Sequence, residues 1–306
     1  MIRYIVNKLM IAVLIFGVFV TVSTIGYAQN PIEDAVKQLS SDNAKGYLQP
    51  MVTSFGANLN SGIFHSADIG DMGFTLKLDF IGMGTFIGDD EKNYNAVPPF
   101  PFNQITNSVK TATIFGDTGT IVQGSIPGFE YQFQNGQIKA SMLPFVSPQL
   151  TVGDIYGTRA VIRYVPIPKI GDFPKTTLFG IGAQHKVSRY FPTIPVDVAA
   201  GIFYQTFDIG DIFEAKAFNI NAQASKSFSV LELYGGLQYE TSSMKVSYTY
   251  EGYGGTGSEK INLEMDGKNN FRFTAGVGLN LAILHIYTDI NFGSVTVISG
   301  GLGLGF

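Results

Sequence analysis

The stretch "SVTVISGGLGLGF", residues 294–306, ends the sequence with glycine and large apolar residues in alternation. Successive residues of a β-strand point to opposite faces, so Leu302, Leu304 and Phe306 share one face and the intervening glycines share the other. A soluble domain usually ends in a polar and poorly ordered tail. We therefore expect the apolar face of this last strand to be buried, either against the rest of the chain or in another apolar environment.

The beginning of the sequence has the pattern of a secretory signal peptide. Arg3 and Lys8 lead into an apolar run of 14 residues, Leu9 to Val22, and small residues follow. The alternative is a transmembrane anchor, but a spanning helix needs about 20 apolar residues. We expect a signal peptide over residues 1–28 and export of the remaining chain.

The composition narrows the class of the exported chain. Charged residues make up 14%, with 36 Gly, 15 Tyr, 25 Phe and no Cys, whereas soluble domains carry about 25% charged residues. The absence of Cys excludes disulfides and thiol chemistry. After the signal, no apolar stretch approaches the length of a spanning helix. These features favour an outer-membrane β-barrel, because a closed barrel also satisfies every backbone hydrogen bond within lipid.

The charge balance bears on possible partners. Two of the 20 Lys and Arg residues lie in the signal, which leaves 18 against 24 Asp and Glu, and no basic tract is present. Nucleic acid is therefore not expected as a partner.

Segments of about ten residues with alternating polarity recur along the chain. In "GFTLKLDFIG", residues 73–82, four large apolar residues alternate with Thr75, Lys77 and Asp79. The same pattern occupies 217–227, 231–240, 270–283 and 284–292. Alternation also fits a half-buried soluble sheet, but aromatic residues near the strand ends and connections of two lengths favour a barrel.

The alternating segments predict an antiparallel up-and-down transmembrane β-barrel of about 12 strands, with 10 to 14 as the range. Single-chain bacterial barrels have even strand numbers. The strands are expected near 56–65, 73–86, 109–118, 142–153, 157–166, 175–188, 195–208, 213–228, 230–249, 270–283, 284–293 and 294–306.

Residues 29–55 differ from the barrel pattern and predict a short helical segment before a barrel at 56–306. Asn30 suits an N-cap and Pro31 the first helical position. Ile32, Val36 and Leu39 follow helical spacing. The segment is either a periplasmic tether or a hatch in the barrel mouth. In the second case these three residues are its gate or plug anchors.

Three blocks, residues 44–67, 143–173 and 178–207, resemble an uncharacterised family of bacterial outer-membrane barrel proteins, a domain of unknown function. More distantly, the strand layout and helical N-terminus are similar to FadL-type long-chain fatty acid transporters. That resemblance implies hydrophobic-solute uptake through an N-terminal hatch, although "NPIED" (30–34) matches their Asn-Pro-Ala motif only in part. The alternating end at Leu302, Leu304 and Phe306 resembles the signal read by the barrel assembly machinery.

The charged residues expected in the lumen have nearly balanced signs, which predicts a filled or gated interior rather than a selectivity ring. A His285–Asp289 pair suits acid–base chemistry, but no Gly-x-Ser-x-Gly motif accompanies it. We therefore predict no enzyme, no metal and no cofactor, with a barrel-embedded hydrolase as the remote alternative. The lumenal candidates are Lys77, Asp79, Arg159, Arg163, Asp197, Glu232, Glu240, Arg272, His285 and Asp289.

Together these features predict gated passage of a small solute across the outer membrane, hydrophobic if the transporter resemblance holds. The alternative is a structural or docking barrel that transports nothing. The expected partners are outer-membrane lipid, the barrel assembly machinery and the solute.

Overall fold

The computed structural model describes residues 41–171, 174–191, 193–251 and 258–306. The chain forms two compact units. Of the described residues, the first holds 41–51, 87–145, 248–251 and 258–263, and the second holds 52–86, 146–171, 174–191, 193–247 and 264–306.

One long helix and fifteen strands are present in the described residues. In chain order they are α1 (Ser41–Leu59), β1 (Met72–Phe86), β2 (Asn93–Ala96), β3 (Val109–Ala112), β4 (Ile121–Gln123), β5 (Glu130–Gln132), β6 (Met142–Ile155), β7 (Thr158–Ile167), β8 (Thr176–Lys186), β9 (Asp197–Ile209), β10 (Phe213–Phe228), β11 (Leu231–Glu251), β12 (Ser258–Asp266), β13 (Phe271–Leu281), β14 (Leu284–Phe292) and β15 (Thr296–Gly305).

Ten of these strands close into an antiparallel barrel. Their order is β10-β9-β8-β7-β6-β1-β15-β14-β13-β11, and β11 pairs back onto β10. Strand β12 adds to β11 outside this ring. The predicted all-β barrel is confirmed, and its ten strands fall within the expected range, but the count of 12 is wrong.

Two of the predicted strands account for that difference. The segment 56–65 is not a strand, because α1 continues to Leu59 and the described residues between Leu59 and Met72 contain no strand. The expected boundary between residues 55 and 56 thus falls inside α1. At 109–118 only Val109–Ala112 is a strand, and it pairs with β2 in a separate two-stranded sheet. Alternating polarity was misleading at both places, because strand formation depends on which other segments lie alongside and not on the local pattern alone.

The barrel exposes apolar residues and buries polar ones. On β1, Phe74, Leu76 and Leu78 are 40–55% exposed, whereas Lys77 and Asp79 are at most 6% exposed. Strands β10, β13, β14 and β15 alternate in the same sense. An apolar outer surface around a polar interior is typical of barrels that cross a membrane.

Within the described residues, no helix combines the length and the apolarity that crossing a membrane would require.

Strand β15 closes against β1 and explains the glycines of the final stretch. Phe306 exchanges two main-chain hydrogen bonds with Leu76, of 3.0 and 3.3 Å. A Cβ atom at Gly301 would lie 2.3 Å from Cζ of Tyr287, and one at Gly303 would lie 2.3 Å from Oδ1 of Asp79. The alternation therefore presents large side chains outward and leaves room inside for side chains of neighbouring strands.

The first unit has its own small core. Asn43 exchanges two hydrogen bonds with the main chain of Val97, at 2.8 and 3.0 Å, and the Tyr47 hydroxyl donates to the Asn135 carbonyl at 2.8 Å. Burial raises the pKa of Tyr47 to about 12, so the phenol stays protonated and remains a donor. The apolar cluster consists of Ala96, Phe102, Val122 and Phe133.

The two faces of β1 generate a first prediction. Leu78→Arg places a charge on the outer surface, and we expect it to lower the free energy of unfolding by about 2–4 kcal/mol near a membrane midplane. Thr75→Arg is the control, because Thr75 faces inward and bonds the Asp154 carboxylate at 2.8 Å. Urea unfolding in lipid vesicles measures both variants. Equal losses would contradict the lipid-facing assignment.

The closing contact generates a second prediction. Phe306→Asp places a charge on the outer surface beside Phe74, whose ring centroid lies 6.5 Å from that of Phe306. We expect a smaller fraction of correctly closed barrel, measured by heat-modifiable migration of the membrane fraction. Asn103→Asp, at an exposed position outside the ring, is the control and should assemble normally. Equal assembly of both variants would argue against a role for Phe306.

Candidate functional site

A segment of the chain runs through the lumen of the barrel. We call residues 52–71 the plug. Near its start, the Ser54 carbonyl accepts a hydrogen bond from Thr85 at the end of β1, at 2.9 Å. Near its end, the Asp71 carbonyl accepts one from the amide of Tyr156, at 2.9 Å, in the turn beside the beginning of β1. The plug therefore extends from one end of the barrel to the other.

The wall of the barrel satisfies the end of α1. The last four carbonyls of an α-helix have no partner within the helix. Here the Ala57 carbonyl accepts from Nη2 of Arg272 at 2.8 Å, and the Leu59 carbonyl accepts from Nε2 of Gln205 at 2.6 Å and Nη1 of Arg163 at 3.2 Å. Positive charge at a helix C-terminus is also favoured by the helix dipole. Two buried arginines thus fix the helix end inside the lumen.

The non-helical part of the plug is held in the same way, by wall side chains that donate to its main-chain carbonyls. Gln238 donates to Asn60 at 3.0 Å, and Nη2 of Arg163 donates to Ser61 at 2.8 Å. Two further carbonyls have wall donors: Ile63, from Gln184 at 3.3 Å and Gln149 at 3.5 Å, and Ser66, from Arg159.

Arg163 is the most connected wall residue and is fully buried. Besides its two plug carbonyls, it donates to the Gln149 side chain at 3.0 Å and lies 5.3 Å from the ring centroid of Phe203. In the part of the chain that the structure describes, it forms no ion pair. A buried charge without a counter-ion is costly, so the carbonyl dipoles of the plug are its main compensation.

Arg272 differs because its charge is neutralised. Its Nη2 lies 2.9 Å from Oε1 of Glu240, and both side chains are about 1% exposed. Gln238 and Asn269 donate to the same carboxylate at 2.5 and 2.6 Å. This network orients Arg272 toward the plug.

Small residues allow the plug to fit within the ring. A Cβ atom at Gly56 would lie 2.0 Å from Oγ of Ser242. Gly62 has φ +65°, and a Cβ atom there would lie 2.6 Å from Cγ2 of Ile81. The run "SFGANLNSG", residues 54–62, is the sequence signal that could have identified the plug.

A polar cluster lies where the plug approaches the beginning of β1. The His65 ring stacks on Tyr287 with 4.1 Å between centroids, and its Nε2 contacts Nζ of Lys77. Lys77 also lies 3.7 Å from Oδ1 of Asp79. The Asp79 carboxylate is fully buried, and Lys77 is the cation that lies beside it.

Most of the predicted lumenal residues face inward. Asp197 and His285 are only partly buried, and Asp197 pairs with Lys186 at 2.8 Å. The other eight are buried: Lys77, Asp79, Arg159, Arg163, Glu232, Glu240, Arg272 and Asp289.

His285 and Asp289 do not pair with each other. Nδ1 of His285 contacts the Asn280 side chain at 2.9 Å, whereas Asp289 accepts from Tyr234 at 2.9 Å and Asn291 at 2.5 Å. Both residues lie on β14, but each finds a nearer partner on an adjacent strand or position. The geometry offers no acid–base dyad at this place.

The expected plug anchors Ile32, Val36 and Leu39 lie outside the described residues. What the sequence interpretation missed is the segment that follows them, together with the amide side chains that hold it. Those wall amides are Gln149, Gln184, Gln205, Asn219 and Gln238.

Comparison with curated proteins finds no match. Among solved structures, the chain is similar to Ail, the attachment invasion locus protein of Yersinia pestis, at 10% identity over 76% of this chain and 97% of Ail, with a TM-score of 0.28. A loop-deletion mutant of OmpT, an outer membrane protein of Vibrio cholerae, is 11% identical over 78% of this chain and 100% of the mutant, with a TM-score of 0.27. The translocator domain of the autotransporter NalP from Neisseria meningitidis is 10% identical over 87% of this chain and 95% of that domain, with a TM-score of 0.27.

Likenesses with identities and TM-scores this low support no inference about function. The family comparison covers almost the whole sequence, since the matching model spans residues 6–306. The chain therefore belongs to the family of unknown function DUF6588.

Proposed function

We propose that this protein is an outer-membrane barrel that its own plug closes at rest, and that it passes a small polar solute when the plug is displaced. The apolar exterior and the predicted signal peptide support the location. The lumenal contacts support the gating.

The observation that carries the proposal is the polar character of the contacts between wall and plug. Amide and guanidinium groups donate to main-chain carbonyls, as Gln205 does to Leu59 at 2.6 Å. An amide donor contributes only about 0.5–1.5 kcal/mol net and a guanidinium donor about 1.5–3 kcal/mol, because water can replace either partner. An interior that served stability alone would gain more from close-packed apolar side chains. Opening the seal also separates apolar contacts, such as those of Ile63 with Val161 and Phe203 and of Ile69 with Ala199, so the polar contacts are the part that water can replace.

The size and lining of the lumen define the solute. The ring encloses the last turns of α1, and an α-helix with its side chains measures about 10–12 Å across. Open porin channels use 16–18 strands, so a ten-stranded ring admits only small solutes. The lining amides favour a hydrophilic solute over the hydrophobic one that the transporter resemblance implies.

The lumenal charges favour weak charge selectivity. Arg272 pairs with Glu240 at 2.9 Å, and Lys77 lies 3.7 Å from Asp79. Selectivity rings use charges of one sign around the pore, and these neutralising pairs are the opposite arrangement. The proposed solute is therefore selected by size and hydrogen bonding.

A docking function is the second candidate, and a surface of the first unit favours it. Phe100, Ile126 and Val97 are 74%, 68% and 55% exposed, and the Phe129 ring stacks on Phe102 with 4.9 Å between centroids. Exposed apolar clusters often mark interaction sites. In that case the barrel would be a membrane anchor for this surface.

Gly56→Leu tests the gate without altering the wall. A Cβ atom at Gly56 would lie 2.0 Å from Oγ of Ser242, so the leucine should force the plug out of its place. We expect the conductance of the variant in planar bilayers to exceed that of the unaltered protein several-fold. Gly73→Leu is the matched control, because a Cβ atom at Gly73 meets nothing within 4 Å.

Both glycine variants must first be verified as folded barrels by heat-modifiable migration. Unchanged conductance in a folded Gly56→Leu barrel would contradict the gate, and the docking candidate would then be the better account.

A further inference from the structure

We infer that the lumen is a binding channel for an extended oligopeptide, recognised mainly through its main chain. This inference rests on the proposed function and names the class of solute. The plug is itself a peptide, and the wall side chains are arranged to bind it.

The first support is that side chains of the wall donate hydrogen bonds to main-chain atoms of the plug. Main-chain carbonyls of consecutive plug residues, Leu59, Asn60 and Ser61, each accept from a wall side chain. Every peptide has such carbonyls whatever its sequence, so these donors do not depend on plug side chains. The plug carbonyls with wall side-chain donors are Ser54, Ala57, Leu59, Asn60, Ser61, Ile63 and Ser66.

The second support is unused hydrogen-bonding capacity on the same wall. Neither the oxygen nor the nitrogen of the Gln223 amide has a hydrogen-bond partner in the described residues, and Oδ1 of Asn221 has no partner either. The two side chains are 2% and 3% exposed. Buried amide groups without partners are costly, so the wall offers more hydrogen bonds than the resting plug uses.

The third support is the conformation of the plug. In α1, main-chain amides are consumed within the helix, so the helical part of the plug offers the wall carbonyls, such as those of Ser54, Ala57 and Leu59, but not its amides. An extended peptide presents free N–H groups as well as carbonyls. The unpartnered oxygens of Gln223 and Asn221 are acceptors for such N–H groups.

The plug side chains add contacts of lower selectivity. Oδ1 of Asn60 accepts from Asn219 at 3.0 Å, and Ile63 packs with Val161 and Phe203. Small polar or aliphatic side chains of many peptides can make equivalent contacts. Binding should therefore tolerate changes of sequence while requiring a peptide backbone.

The test uses the full-length Gly56→Leu protein in detergent, where the displaced plug leaves the wall intact. A fluorescent peptide of residues 57–68 and a scrambled version of it are titrated, and fluorescence anisotropy reports binding. We expect both to bind with dissociation constants within about tenfold of each other, since the main-chain contacts are common to both. Maltoheptaose, a polar oligomer without peptide groups, should displace neither.

A wall variant shows whether binding occurs in the lumen. Adding Gln205→Leu should weaken the binding of both peptides about 3- to 10-fold, the equivalent of one lost hydrogen bond. Gln104→Leu, at an exposed position in the first unit, should leave both unchanged. Gly62→Val replaces Gly56→Leu if the latter does not fold, because φ +65° excludes a β-branched residue.

Three results would overturn the inference: binding of the unscrambled peptide alone, displacement by maltoheptaose, or no binding of either peptide. The assay needs no flux, so it separates the two proposals. Peptide binding by a Gly56→Leu barrel that conducts no better than the unaltered protein would refute the gate and leave the peptide site in place.

Discussion

The structure of the lumen depends on one constraint: a helix that ends inside a barrel must find donors for its last carbonyls. Main-chain amides just past the helix cover two of them, since Asn60 donates to Gly56 at 3.1 Å and Ser61 donates to Asn58 at 3.0 Å, and the carbonyls of Ala57 and Leu59 need other donors. Arg163, Arg272 and Gln205 supply the donors instead. The polar wall is therefore required by the plug, and the plug in turn compensates the buried charge of Arg163.

That mutual dependence also explains where small residues occur. The plug approaches the wall so closely that Gly56 and Gly62 have no room for a Cβ atom. On β15, Gly301 and Gly303 leave space for Tyr287 and Asp79 in the same way. Glycine in a helix or strand is entropically unfavourable. At these positions it is needed because neighbouring side chains and strands approach the main chain closely.

A polar seal has functional consequences that an apolar core would not have. Hydrogen bonds to carbonyls can be exchanged for hydrogen bonds to water or to a ligand at small net cost, whereas opening an apolar core exposes surface to water. The same donors that hold the plug can therefore hold a replacement for it. This property connects the gate to the peptide site, although each is tested by a separate measurement.

Residue patterns by themselves determined the barrel, because strand alternation is a local property. Phe74, Leu76 and Leu78 alternate in sequence with Lys77 and Asp79, and the structure exposes the first set and buries the second. Only tertiary structure decided the plug. Residues 56–65 carry an alternation that also fits a strand, and they became helix and lumen-filling chain because Arg163, Arg272 and Gln205, distant in sequence, bind their carbonyls. Such pairing depends on ring closure, which no local pattern encodes.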